Sequence, residues 1–432
     1  MNAYRSWAGE MADRQARAVD LLFDNGVDLG PLMGLPVSVK DLYGVPGLPV
    51  FAGSDQALPS AWQRPGPVVE SLLRQGGVIT GKTHTVEFAF GGLGVNAHWG
   101  TPLNPWSTDG ARVPGGSSSG AGVSLVQGSA LLALGTDTAG SVRVPASFTG
   151  QVGLKTTVGR WSTAGIVPLS STLDTPGVLV RTVADLAYAF NAIDAHLGGG
   201  GLPEAQPLAL PGLRIGLPEA FFWSEAEPGV ARVMASAIGA LERHGARIVP
   251  VELPGCDTAY EIFRQGGLAA PELSAFMQRC LPDKIARLDP VVRARVEGAA
   301  QTSSVEYLRR KAVLEDCGQR ARAVFDGVDV LVTPTVAIRP PRLADIVELA
   351  DYGRANMLAL RNTVIANLFG WCALSLPAGA DEAGLPVGLQ LIAPPMAEAR
   401  LIRAALAVEA VLGDGRRLLG DAPALRALAY TS

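Results

Sequence analysis

Between Val113 and Gly150 the chain reads VPGGSSSGAGVSLVQGSALLALGTDTAGSVRVPASFTG, several serines set among glycines with no histidine in the run. A serine hydroxyl is a weak nucleophile at neutral pH. A reactive one needs a base within hydrogen-bond reach and a pocket of donors for the oxyanion that forms. Which serine attacks, and what takes its proton, is therefore the chemical question the run poses. Outside it, Lys40 stands out at the end of the short apolar stretch GLPVSVKDLYGV, whose β-branched residues read as a buried strand.

Gly-Ser stretches also make linkers and tight turns, so GGSSSGAG alone is a weak signal. Context strengthens it. An apolar segment, VSLVQGSALLALGTD, separates it from a second small-residue loop, TDTAGS. Two loops flanking a buried segment are not linkers, and loops held by a rigid scaffold are where catalytic groups concentrate. A competing motif is GGVITGKT, Gly76 to Thr83, which satisfies the phosphate-loop pattern GxxxxGK[ST]. A phosphate loop follows a strand and opens a helix, whereas here the residues before Gly76 have helical spacing and Val78 and Ile79 look like strand residues. Nucleotide binding is thus the weaker alternative, with Lys82 and Thr83 placed at a strand end.

The elements that must position these groups alternate in type. Residues 3–24 read as an amphipathic helix stopped at Asn25 and Gly26. GPVVESLLRQGGVITGKT reads as helix, turn and strand, and LRIGLPEA, GVARVMASAIGALERHG and ARIVPVELP repeat the strand, helix, strand order. Residues 255–326 are mainly helical. DVLVTPTVAI and ALSLPAG add two strands, and AEARLIRAALAVEAVLG is the last clear element. Strands spread along the whole chain favour an α/β fold with one large mixed sheet wrapped by helices, a single unit over residues 1–432 with its catalytic core at about 30–190.

With 432 residues, 48% hydrophobic and 18% charged, the chain can bury a large core and is not a disordered one. A formal net charge of -4 and no basic run argue against a nucleic-acid partner. The window Ala121 to Gly140 is broken by Gln127, serines and Asp137, so it reads as buried core rather than a membrane span. Four cysteines lack CxxC spacing, which suggests neither a metal site nor a disulfide framework. The N-terminus has no apolar core of a secretory signal, and a cytoplasmic location is the expectation.

In order along nearly the whole chain come GLPVSVKD, GKTHTVEFAFG, GTPLNPW, GGSSSGAG, LALGTDTAGSVRVPASFTGQVGLKTT, STLDTPGVLVRT, VLVTPT and ALSLPAG followed by GLPVGLQLIA. This series resembles the amidase signature enzymes, which hydrolyse amides with two serines and a lysine. By position in these motifs the resemblance implies Lys40 as base, Ser117 as bridging serine after a cis peptide bond from Gly116, and Ser141 as nucleophile. Burial beside small apolar residues would lower the pKa of Lys40 and free its amine to act as a base. The backbone N–H groups of Thr138, Ala139, Gly140 and Ser141 are the expected oxyanion hole, braced by an Asp137–Arg143 pair. In related enzymes the EFAFGG segment borders the substrate, which implies Phe90 and Gly91 as pocket wall, although an aromatic there can equally be core. His84 and His98 lack metal-ligand spacing and read as structural, and Asp174 reads as a turn or cap residue.

The implied activity is amidohydrolysis of a small or aryl carboxamide through an acyl-enzyme, releasing ammonia or an amine, with no cofactor. A small-molecule amide is the expected partner, with no membrane involved and a homodimer left open. The alternative within the same resemblance is the amidase component of a glutamine-dependent tRNA amidotransferase, which needs partner subunits. Ser119 in place of a common glycine, Thr156 in place of a usual proline and a short region ahead of Lys40 depart from the family pattern. They bear on substrate choice rather than on the catalytic groups.

Overall fold

The computed structural model describes residues 1–202 and 206–429. Eleven strands make one mixed sheet: β1 (Tyr4–Trp7), β2 (Pro36–Lys40), β3 (Val78–Thr83), β4 (Leu132–Asp137), β5 (Val152–Lys155), β6 (Thr175–Val180), β7 (Arg214–Pro218), β8 (Arg247–Val251), β9 (Val330–Pro334), β10 (Cys372–Ala380) and β11 (Pro386–Ala393). Their order is β1-β3-β2-β4-β6-β5-β10-β11-β9-β7-β8. The large mixed sheet expected from the spread of strands is therefore what forms, and it draws on both ends of the chain. Among the described residues no helix is long and apolar enough to cross a membrane.

Beside the edge strand β1, the strands β3, β2 and β4 run parallel, with Lys40 opposite Thr83 and Val39 opposite Leu134. Parallel strands buried on both faces carry near-continuous apolar runs, as PVSV and LALG do. The helix Ser119–Val126 crosses between them, and Ser124 Oγ lies 2.9 Å from Ser38 Oγ of β2. Open α/β sheets place their chemistry outside the carboxyl ends of parallel strands. Here β2 ends at Lys40 and β4 at Asp137, so Lys40 and the TDTAGS loop emerge at one end of the parallel strands.

The chain departs from the sequence reading in three places. Residues 4–7 are a strand antiparallel to β3 rather than the first turn of a helix, which runs only over Gly9–Asp24. Unpaired backbone groups on β3 offer these residues ladder bonds, a tertiary gain that local helical periodicity does not register. β11 follows β10 after a short turn at Gly384 and pairs with it antiparallel. After the helix Glu398–Leu412 come two short helices, Gly415–Leu419 and Pro423–Ala429. Gly76 to Thr83 is a turn leading into β3, with no helix opening after it. Lys82 is instead consumed by a buried ion pair with Asp41 at 2.9 Å.

Candidate active site

Lys40 ends β2 with no solvent exposure, its Nζ 2.7 Å from Ser117 Oγ and 2.8 Å from Thr136 Oγ1. Burial lowers its pKa from 10.5 to about 7, against the opposing pull of the Asp174 and Asp137 carboxylates. At neutral pH a large fraction of the amine is therefore uncharged and able to accept a proton. Thr136 owes its place to the parallel register, which sets the end of β4 beside the end of β2. The Gly116–Ser117 peptide bond is cis. Gly116 itself is held close, since a Cβ there would come within 2.6 Å of the Gly94 nitrogen.

Ser141 follows β4 by four residues. Ser118 N donates to its carbonyl at 3.2 Å, which ties the two serine loops together. Its side chain has no hydrogen bond to a described residue and faces a cavity of about 450 Å³. Thr138 and Ala139 line the same cavity. The backbone N–H groups of Thr138, Ala139 and Ser141 have no acceptor among the described residues. Gly140 differs from the expectation. Its N–H donates to Asp137 Oδ1 at 2.8 Å, and the residue does not reach the cavity, so three donors remain where four were expected. Gly140 has another task. Its φ is +133°, and a Cβ would fall 2.1 Å from Thr363 Oγ1, so only glycine lets the loop pass this close to the helix Leu349–Leu368.

The expected Asp137–Arg143 brace is present and wholly buried. Arg143 donates from Nε and Nη2 to the two carboxylate oxygens at 3.0 and 2.9 Å, and from Nη1 to Thr363 O and Gln390 Oε1. Val142 N adds a bond to Asp137 Oδ2 at 3.1 Å. Burial pushes the Asp137 pKa up, but the Arg143 guanidinium outweighs it and holds the carboxyl well below the usual range. Both oxygens of the Asp137 carboxylate are met by charge-assisted bonds, which is the condition under which a buried pair is tolerated.

Asp174 does more than turn the chain. Oδ2 accepts from Leu169 N and Ser170 N, as a turn residue would, while Oδ1 accepts from Thr138 Oγ1 at 2.6 Å. Burial raises its pKa to about 6, opposed by these bonds and by Lys40. Glu272, on the helix Ala269–Cys280, clasps the same turn through Ser170 Oγ, Thr172 Oγ1 and Thr172 N. Nothing in the spacing of Glu272 or Asp174 signals these contacts, since they depend on elements about 100 and 36 residues apart.

Phe90 and Gly91 lie on the cavity wall. Arg295, in the helix Pro290–Ala299, lines it as well, donating from Nη1 to Phe90 O at 2.8 Å, with its guanidinium 5.1 Å from the Phe90 ring centre. No carboxylate among the described residues lies within ion-pair distance of Arg295. The sequence reading missed it because one arginine in a polar helix carries no signal of facing inward. His84 is buried, and burial pushes its pKa down to about 4. His98 Nε2 lies 3.1 Å from Glu87 Oε1. Neither belongs to a cluster of metal-ligating side chains among the described residues.

The family model described as Amidase matches residues 1–402. The chain is 65% identical over 420 residues to the 2-amino-5-chloromuconic acid deaminase of Comamonas testosteroni, covering 97% of this chain and 90% of that protein. It is 34% identical over 453 residues to a glutamyl-tRNA(Gln) amidotransferase subunit of Thermobifida fusca, covering 96% and 89%. A solved amidase crystal structure superimposes with a TM-score of 0.85 at 29% identity, covering 95% of this chain and 92% of that one.

Proposed function

The chain belongs to the amidase family, and from that premise we propose that this amidohydrolase works through Ser141 as nucleophile, Ser117 as relay and Lys40 as base. Ser141 Oγ bonds to the carbonyl carbon as its proton passes to Ser117 Oγ and the Ser117 proton passes to Lys40 Nζ. The oxygen becomes negative against the N–H groups of Thr138, Ala139 and Ser141, each worth about 2.7–4 kcal/mol to the transition state. The proton returns along the same path to the nitrogen, the C–N bond breaks and ammonia or an amine leaves. Water then attacks the acyl carbon, gives its proton to the relay, and the acid departs as Ser141 regains its hydrogen. The observation that carries this reading is the 2.7 Å contact between Ser117 Oγ and a buried Lys40 whose pKa burial lowers to about 7.

For the substrate, the 65% identical relative is named for deaminating a chlorinated muconic acid, a small unsaturated dicarboxylic acid. The same class is the reading for this chain: a small carboxylate-bearing molecule that loses ammonia. The nitrogen of an aminomuconic acid sits on a diene conjugated to a carboxyl group, a vinylogous counterpart of an amide. Addition of Ser141 Oγ to the amine-bearing carbon moves an electron pair through the diene to the far carboxyl group, ammonia leaves with a proton from the Ser117–Lys40 relay as that pair returns, and water repeats the addition and elimination to release the hydroxymuconic acid and restore the Ser141 hydroxyl. Support comes from Arg295, a guanidinium on the cavity wall without a carboxylate partner among the described residues, suited to a substrate carboxylate. One amidase unit over residues 1–432, working in the cytoplasm, goes with this reading. It is supported by a single sheet built from strands at both ends of the chain and by four cysteines free of disulfides.

The test is ammonia release by the purified chain from 2-aminomuconic acids, succinamate, glutamine and benzamide. The reading expects turnover of the acids without added subunits, and at least a tenfold rise in KM for them, but not for benzamide, in Arg295→Leu. Ammonia release only from glutamine, and only with partner subunits added, would replace it with the amidotransferase role.

A further inference from the structure

One stripe of the helix Leu349–Leu368 shapes the wall of the cavity around Arg295. Tyr352, Asn356 and Leu360 follow one another at helical spacing and share a face, and the Gly91–Gly92 backbone lies against it. A Cβ at Gly91 would come within 2.8 Å of Tyr352 Oη, and one at Gly92 within 2.6 Å of Leu360 Cγ, so only glycines let the chain pass this close. Asn356 Oδ1 accepts from Gly92 N at 2.7 Å. A backbone N–H must meet the oxygen of the amide, so the side chain cannot flip, and its NH2 end is the one left for the cavity. Asn356 is 2% exposed and lines that cavity, and its Nδ2 has no acceptor among the described residues. Arg295 is pinned to the same segment, donating to Phe90 O two residues before Gly92. The other two arginines on the wall have carboxylate partners, Arg264 in Glu261 and Arg310 in Glu306. No Asp or Glu among the described residues lines the cavity.

We infer that Asn356 Nδ2 and the Arg295 guanidinium form a two-point clamp for the substrate's carboxylate, with Asn356 the residue that tells an acid from an amide there. This assignment rests on the carboxylate-bearing substrate read above. Both side chains offer the cavity donors alone. A carboxylate meets them with an acceptor on each oxygen, whereas a carboxamide in the same place turns its own NH2 toward one of them and leaves two donors facing each other. A buried group left without its partner is what makes such discrimination large. The half-amide of a diacid therefore binds one way round, its acid end in the clamp and its nitrogen-bearing end left for Ser141. A diamide has no end that satisfies the clamp.

The experiment compares succinamate with butyramide, which has the same chain length and a methyl group in place of the carboxylate. Asn356→Asp keeps the shape of the side chain and an acceptor for Gly92 N, and puts a carboxylate oxygen where Nδ2 was. The unmodified chain should prefer succinamate in kcat/KM. In Asn356→Asp that preference should fall at least tenfold, about the worth of one hydrogen bond to a charged group, with the loss carried by the KM for succinamate. A crystal of Ser141→Ala soaked in succinamate gives a second reading that does not depend on the folding of the Asp variant, and its carboxylate should accept from both Asn356 Nδ2 and Arg295. A preference within threefold of the unmodified chain in folded Asn356→Asp, or a bound carboxylate that meets Arg295 without Asn356, would overturn the clamp and leave the carboxylate-bearing substrate standing. Equal kcat/KM for succinamate and butyramide in the unmodified chain would instead remove that substrate class, and the clamp with it.

Discussion

Lys40→Met replaces the amine with a side chain of nearly the same length and no charge, and it should move activity and stability in opposite directions. The unfolded chain takes up a proton at this lysine below about pH 10.5, whereas the folded chain does so only below about 7. Between those values folding expels a proton, so stability falls as pH drops through that window and then levels off below it. At ~1.36 kcal/mol per pH unit the full effect is about 5 kcal/mol. Methionine escapes that penalty but forfeits the hydrogen bonds to Ser117 and Thr136, about 1 kcal/mol each. The variant should thus be more stable than the unmodified chain by about 3 kcal/mol at pH 6 and less stable by about 2 kcal/mol near pH 10.5. Its turnover should drop by about 10² to 10⁴, the usual worth of a general base. Denaturant melts at the two pH values and an ammonia-release assay read both. Turnover within tenfold of the unmodified chain would refute Lys40 as base, and equal stabilities at pH 6 would refute a desolvated amine.

Further outcomes follow from the same contacts. kcat/KM should rise with pH through a midpoint near 7 as Lys40 loses its proton, and Asp174→Asn should move that midpoint lower, because the carboxylate it removes favours the charged amine. A pH–rate profile that keeps its midpoint in the variant would contradict the coupling. Asp137→Ala leaves the Arg143 guanidinium buried without its carboxylate, so a loss of about 3–5 kcal/mol is expected in a denaturant melt; a loss below about 1 kcal/mol would mean that the pair does not brace the loop. Gly140→Ala forces a Cβ against Thr363 and shifts the donors beside it, so kcat should fall by about 10² to 10³ with the fold retained. A threefold change or less would show that the loop tolerates the displacement.

The parts of the site that depend on local chemistry were legible in the sequence. Lys40 at a strand end, the two serine loops and the Asp137–Arg143 brace all sit in short segments, and the order of those segments along the chain carried the resemblance that implied their roles. β2 and β3 were legible as strands from their apolar, β-branched runs, whereas β4, inside the run Ala121 to Gly140, read only as buried core. What escaped was set by contacts between distant elements. Tyr4 to Trp7 joins an edge of the sheet that exists only once β3 is in place. The Gly140 N–H turns from the cavity to Asp137 because the carboxylate, fixed by Arg143, lies within reach. Arg295 and Glu272 belong to a helical region where charge and periodicity look alike whether a face meets solvent or a cavity.

The central claim is that the substrate is carried covalently on one oxygen, Ser141 Oγ. The most direct measurement is mass spectrometry of the chain quenched in acid during turnover of p-nitrophenyl butyrate, with peptide mapping of the added mass. A single butyryl group is expected on the peptide holding Ser141 and none in Ser141→Ala. A butyryl group on Ser117 or Lys40, or undiminished turnover in Ser141→Ala, would contradict it.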